Sequence, residues 1–319
     1  MGLQVRMYLL IGLMFAVLYG IITGIGSALV GGSLVIYAIL ALFFVGIQWM
    51  IGPAMVGWMM KIKWVSEQEE PELHQMVAEL AQSARIPKPR VGISQVPIPN
   101  AFAFGRTQGD ARVCVTEGIR RLLNRDELRA VLGHEVSHIK HRDMTLMTLL
   151  SVLPLIIYFM AFSLIWSGGG RGRGGYGPLI GIGLFIVYFL FQLLVLYGSR
   201  IREYYADQGS VRLGNRPRHM ATALYKLVAG SARVPKEALG RAEGMKAFFV
   251  NDPSRALREV SELKELDQDM SGTIDRDELT ALRTKTVRLG TSAKIMEALS
   301  THPNMLKRIK HLSSLVDTY

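Results

Sequence analysis

The chain has 319 residues and a formal charge of +11, half of its residues are hydrophobic, and its mean hydropathy is positive at +0.24. One cysteine, Cys114, excludes a disulfide framework within the chain and points the soluble part to a reducing compartment. The length suits two domains, or one domain with a membrane part. Excess positive charge beside long apolar runs fits anionic lipid headgroups, and without aromatic–basic interleaving or a helix-turn-helix pattern nothing argues for nucleic acid.

Residues 7–60 contain no Asp, Glu, Lys or Arg. A spanning helix takes about 20 apolar residues, so two spans are expected, near 8–28 and 34–52, joined at the small-residue run 24–33. A cleaved signal peptide is not expected, since the apolar stretch is too long and a second span follows at once. Gly52-Pro53 is expected to kink or end the second span. Residues 61–143 are polar. Glu67 to Leu73 reads as a helix start with acid and Pro71 in the first turn. Leu73, Met76, Val77, Leu80 and Ala81 then repeat at helical spacing and predict one buried face. Ile86 to Ser94 reads as an extended segment entering a short strand. Pro97 to Gly105 and a turn at Gln108-Gly-Asp follow. Arg112 to Thr116 alternates as a second strand, a candidate hairpin partner with Cys114 in its core. Thr116-Glu-Gly opens a helix, and Asn124 or Asp126 caps the next one.

That next helix carries Gly133-His-Glu-Val-Ser-His138. His134 and His138 lie one turn apart on one face, a spacing at which two imidazoles share a metal ion, and Glu135 beside them can take a proton from water. This is the H-E-x-x-H arrangement of zinc peptidases. A polar helix that matches by chance is the plainer alternative. Residues 144–170 and 174–199 are again uncharged and predict a third and fourth span near 144–166 and 178–197. The glycine-rich loop between them lacks the flanks of a phosphate loop and reads as a linker. Charged residues after the second and fourth spans place both segments, and the metal helix, in the cytoplasm. After the fourth span, Ser199-Arg-Ile-Arg-Glu-Tyr-Tyr-Ala-Asp207 sets Glu203 and Asp207 on one face. A zinc peptidase needs a third protein ligand; Glu203 suits it, and Asp207 suits the far nitrogen of a ligand histidine. A solvated helix with i,i+4 ion pairs is the alternative.

Pro99-Asn-Ala-Phe-Ala-Phe-Gly105, the His134–His138 motif with Arg142-Asp143, Ser199 to Asp207, and Ser300-Thr-His-Pro303 together resemble the HtpX family, membrane-embedded zinc metalloproteases related to the CAAX prenyl endopeptidases. The resemblance covers nearly the whole chain. It implies a mainly α-helical integral membrane protein with four transmembrane helices and a zincin-like α+β metallopeptidase domain with a small β-sheet. It also implies cleavage of unfolded or damaged membrane proteins in the lipid bilayer of the cell membrane. By that resemblance His134, His138 and Glu203 are zinc ligands, Glu135 is the catalytic base and Asp207 supports a ligand. Asn100 would lie beside the bound peptide, and His302 would steady the oxyanion. A turn or cap role for Asn100 and a helix-start role for His302 fit nearly as well. His141 is expected at the surface or against headgroups. The expected organisation is a transmembrane hairpin at 1–60, a second at 144–199, and a peptidase domain built from 61–143 and 200–319.

One segment departs from that family pattern. Asp267-Gln-Asp-Met-Ser-Gly-Thr-Ile-Asp-Arg-Asp-Glu278 matches the EF-hand calcium loop, within an insertion at about 256–291. Asp267, Asp269, Ser271, the Thr273 carbonyl, Asp275 and Glu278 would supply the oxygens, with Gly272 at the sharp turn. An acidic turn is the alternative. EF-hands usually pair and only one is present, so the loop is either weak or pairs with another copy, which makes self-association one expectation. Regulation of substrate access by calcium is a further expectation. A catalytically silent calcium-sensing scaffold would have no need of an intact ligand set. A narrower prenyl-protein-processing peptidase stays open, because specificity lies in cavity shape.

Overall fold

The computed structural model describes residues 34–167, 176–234, 256–263, 266–285 and 290–316, with short helical pieces at 5–6, 9–10 and 13–14. Most of the first expected span, and the glycine-rich loop between the last two, lie outside the described residues. The chain divides into two compact units, one of Met1–Gly52 and Thr145–Ser199, the other of Pro53–Met144 and Arg200–Tyr319.

Among the described residues three helices are long and apolar enough to cross a membrane, with their stretches at Leu42–Met59, Asp143–Trp166 and Gly177–Arg212. The first belongs to α1 (Leu34–Met59), which runs on through Pro53, so Gly52-Pro53 does not end the helix, one of the two outcomes expected there. Proline removes one N–H and crowds one carbonyl; in a continuously apolar stretch the remaining backbone is still best satisfied as helix. In the first unit Tyr158 gathers Phe159, Phe162, Phe185 and Tyr188 around its ring. Gly181 lets its helix approach closely, since a Cβ there would meet the Ala161 carbonyl at 2.9 Å. Leu42, Phe43, Leu179, Ile186 and Phe189 stay exposed. Outward apolar rows of this kind suit hydrocarbon rather than water.

The second unit carries a four-stranded sheet in the order β1 (Ile62–Trp64), β2 (Arg90–Ser94), β4 (Arg112–Thr116), β3 (Ala101–Phe104). β1 was not expected, because three residues after a membrane helix carry no alternation to read. β4 is not the hairpin partner of β2: the two run parallel, with Gly92 opposite Cys114. The antiparallel partner of β4 is β3, which shares its intervening turn. β3 therefore forms an edge of the sheet. Cys114 is fully buried, and burial pushes its thiol up, away from the reactive thiolate.

Helix α2 (Pro71–Ala84) buries Leu73, Met76, Val77, Leu80 and Ala81, the stripe its spacing predicts. It packs on α4 (Arg125–Lys140), which follows the short α3 (Glu117–Leu122). Asn124 closes a reciprocal capping box with Glu127, whose buried carboxylate also takes Lys226 Nζ at 2.8 Å. Such a cap contributes about 1 kcal/mol. Lys226 belongs to α7 (Pro217–Ala232), which packs across α4. One helix, α6 (Gly177–Arg212), following α5 (Asp143–Ser167), contains both the apolar stretch expected as a fourth span and the charged Arg200–Asp207 segment.

α4 and the end of α6 meet at two glycines. A Cβ on Gly209 would lie 1.9 Å from Ser137 Oγ and 2.6 Å from its Cβ, and one on Gly133 would lie 2.4 Å from Asn215 Nδ2. Ser210 Oγ donates to the Ala130 carbonyl at 2.6 Å and fastens the approach. Gly209→Ala is therefore expected to lose about 1–3 kcal/mol of stability or more by overpacking. Thermal unfolding of the two proteins side by side tests this, and an unchanged midpoint would contradict the close approach.

Candidate metal centre

The approach of α4 and α6 sets His134, His138 and Glu203 face to face. The two His Nε2 atoms are 3.1 Å apart, His138 Nε2 is 3.4 Å from Glu203 Oε1, and His134 Nε2 is 3.6 Å from Glu203 Oε2. Donors bound tetrahedrally at about 2.0–2.1 Å are separated by about 3.3 Å, so the two nitrogens and the carboxylate already lie at the spacing of such a site. The three residues form one of two clusters among the described residues able to hold a metal ion.

The ring orientations are fixed from behind. His134 Nδ1 donates to Asp207 Oδ1 at 2.9 Å, and His138 Nδ1 donates to Asp143 Oδ2 at 2.6 Å. Carboxylates only accept here, so each Nδ1 carries a proton and Nε2 is the nitrogen each ring can offer to an ion. Asp143 is a partner that sequence spacing did not assign. α4 ends at Lys140, and Arg142 takes a left-handed turn at φ 56° that brings Asp143 back to the histidine. No helical periodicity predicts that return.

Arg308 is the larger omission. It sits on α11 (Met305–Ser313) and is fully buried. Its Nε and Nη2 hold the two oxygens of Asp207 at 2.9 and 2.6 Å, and its Nη1 lies 3.0 Å from Glu203 Oε2. A planar fork suits this bidentate grip. One signal was available: Arg308 falls on the same face as Met305, Ile309 and Leu312, and a cation on an apolar stripe asks for a buried anion.

Glu135 is buried beside the cluster, and the Ala103 backbone N–H of edge strand β3 donates to its carboxylate. Burial pushes its pKa up to about 7, with Glu203 adding to the rise and His138 opposing it. Burial lowers His138, but the Asp143 and Glu203 carboxylates outweigh it and raise the ring to about 10. A metal ion must displace that proton, so binding releases acid and weakens as pH falls.

His302 follows α10 (Thr291–Ala298), and its Nδ1 lies 3.2 Å from Glu203 Oε2. Arg200 holds that turn through the Ala298 and Ser300 carbonyls at 2.8 and 2.9 Å. Asn100 is buried immediately before β3, its N–H donating to Thr116 Oγ1 at 2.9 Å. His141 caps α4, with Ser137 Oγ 3.2 Å from its Nδ1, and is half-buried. Asp267, Asp269 and Glu278 form the second metal-competent cluster. Ser271 meets Thr273 within that loop, and Asp275 caps the helix that follows it.

Arg308→Met is expected to destabilise the chain by about 3–5 kcal/mol, because it leaves Asp207 buried without its cation. Arg308→Lys should recover only part of that loss, since an ammonium cannot make the fork. Denaturant unfolding checks both, and a methionine variant as stable as the wild type would contradict the assigned pairing.

The family model described as Peptidase family M48 matches residues 67–316. The protease HtpX homolog of Methanothermobacter thermautotrophicus is 52% identical over 226 residues, covering 71% of this chain and 86% of that one. The protease HtpX homolog of Moorella thermoacetica is 35% identical over 322 aligned residues, covering 98% and 94%. Among solved structures, Ste24p from S. mikatae is similar in fold, with a TM-score of 0.52 at 16% identity, over 97% of this chain and 64% of that longer one.

Proposed function

We propose that this chain, which belongs to peptidase family M48 and within it to the HtpX proteases, is a zinc-dependent endopeptidase that acts from within a membrane. The observation that carries the zinc reading is the convergence of His134 Nε2, His138 Nε2 and the Glu203 carboxylate within 3.1–3.6 Å of one another. Two nitrogens and one carboxylate are the donor set of a catalytic zinc site that leaves a position open. Zinc held there would lower the pKa of water to about 7 and polarise a peptide carbonyl.

Glu135 takes the proton from the attacking water and passes it to the leaving amine; a carboxyl tuned near neutrality does both. Asp143 and Asp207 hold the histidine rings in register, and Arg308 keeps Asp207 and Glu203 ionised against burial. The substrate lies along edge strand β3, where an extended peptide adds as a further strand. Asn100, at the head of that strand, steadies a substrate carbonyl. His302, beside Glu203, faces the oxyanion as the tetrahedral intermediate forms.

The apolar helices in the same chain support a role on membrane proteins, and we read unfolded or damaged ones as the substrates. The basic segments after the second and fourth expected spans support a cytoplasmic peptidase unit in the plasma membrane.

Metal analysis and casein cleavage on the same detergent-purified samples test this. The wild type and Glu135→Gln should each hold about one zinc per chain. Glu135→Gln should cleave about 10²–10⁴-fold more slowly, and His138→Ala should lose both metal and cleavage. Wild-type rates from Glu135→Gln, or full cleavage by zinc-free protein, would refute the mechanism.

A further inference from the structure

The peptidase reading leaves the second cluster of carboxylates without a use. It lies in Asp267–Glu278, between α8 (Ala256–Leu263) and α9 (Arg276–Thr284). We propose that this loop is a calcium site whose missing EF-hand partner is replaced by helix α7 of the peptidase unit. The inference does not rest on the zinc or peptidase reading, because it concerns other residues and is read by calcium binding.

Carboxylate oxygens of Asp267, Asp269 and Glu278 lie within 4.8 Å of one another. Two oxygens bound to one calcium at 2.3–2.6 Å are separated by at most about 5 Å, so all three reach a single ion. Gly272, at the sixth position, has φ +76°, the turn this loop requires. Asp269 and Glu278 alone would be an acidic turn, and the capping box of Asp275 with Glu278 explains those two as a helix start.

Asp267 is not explained that way. It is 7% exposed. Its Oδ2 accepts from Gly272 N–H and from Tyr225 O–H, each at 3.0 Å, while its Oδ1 is buried with no hydrogen-bond partner. A buried carboxylate oxygen without a partner, drawn close to two other carboxylates, is unfavourable unless a cation joins them. The remaining ligand positions hold only oxygen donors, which selects a hard cation over zinc.

A lone EF-hand leaves the backbone of its eighth residue unpaired. Here that residue, Ile274, is buried, and the Thr222 hydroxyl serves both of its groups: Oγ1 donates to the Ile274 carbonyl at 3.0 Å and accepts from its N–H at 3.0 Å. Thr222 and Tyr225 sit one turn apart on α7, so that helix grips the loop at its first and eighth positions. Nor is the segment a detached insertion. Leu263, Leu266, Ile274, Leu279 and Leu282 belong to the same buried cluster as α7 and α11. Asn304, which caps α11, donates to Glu262 at 2.8 Å. Calcium would thus order α8 and α9 against the helix that carries Arg308.

The test is a calcium titration of the full chain in detergent, freed of calcium by dialysis and with zinc content measured before and after. About one calcium per chain is expected, with Kd on the order of 10⁻⁵ M, together with a higher unfolding midpoint that magnesium does not match. Glu278, half-buried at the end of the loop, is the first position to change. Glu278→Gln should weaken binding at least about tenfold with zinc content unaltered, and Asp267→Asn should do the same. Thr222→Val should weaken calcium binding where Thr222→Ser does not. Absence of saturable binding up to about 1 mM calcium, the weak end of EF-hand affinities, would overturn the proposal. So would binding that survives both Glu278→Gln and Asp267→Asn. Neither result would bear on the zinc centre.

Discussion

The metal-competent cluster depends on how closely two helix backbones approach. Gly133 and Gly209 have no side chains at the points where any Cβ would strike Asn215 or Ser137. Only at that separation do two imidazoles on α4 and a carboxylate on α6 fall within 3.1–3.6 Å of one another. Interiors are packed too tightly to absorb an extra methyl without shifting something. A shift at this contact would move one ligand away from the other two.

Close approach concentrates ionisable groups where water is excluded, and each is compensated. Asp143 and Asp207 neutralise the rear of the two histidines, and Arg308 neutralises Asp207 and Glu203. Buried charges left unpaired are strongly destabilising. The outer residues are therefore a condition for the inner ones, not an addition to them. Glu135 is the exception. It receives the Ala103 N–H but no cation of its own within this network, and burial leaves its carboxyl near neutrality.

Helix α7 recurs in the packing. It braces α4 through Lys226 and the buried carboxylate of Glu127. One and four residues earlier along the same helix, Tyr225 and Thr222 hold the acidic loop. The helix that carries the two histidines and the EF-hand-like segment therefore share one support, and α11 packs on α7, α8 and α9. A loop that looked like an insertion is part of the peptidase core because its apolar residues point into that core.

Features carried by short spacing were legible in the amino-acid order. The His-Glu-x-x-His turn, the stripe of α2, the cap at Asn124, the apolar stretches from 34 onward and the acidic loop Asp267–Glu278 are all carried within a turn or two of backbone. Glu203 and Asp207 were legible as a pair on one face, although their meeting with His134 and His138 was an inference from chemistry. What the order alone left open was who meets whom across the chain. β2 pairs parallel with β4 because β3 takes the hairpin. α1 continues through Pro53. Asp143 returns to His138 across a left-handed residue. Arg308 reaches Asp207 from a hundred residues away, and Thr222 completes Ile274. Such contacts have no period, because they arise when separate buried faces close on one core, and a single chain written in order holds their residues without holding their distances.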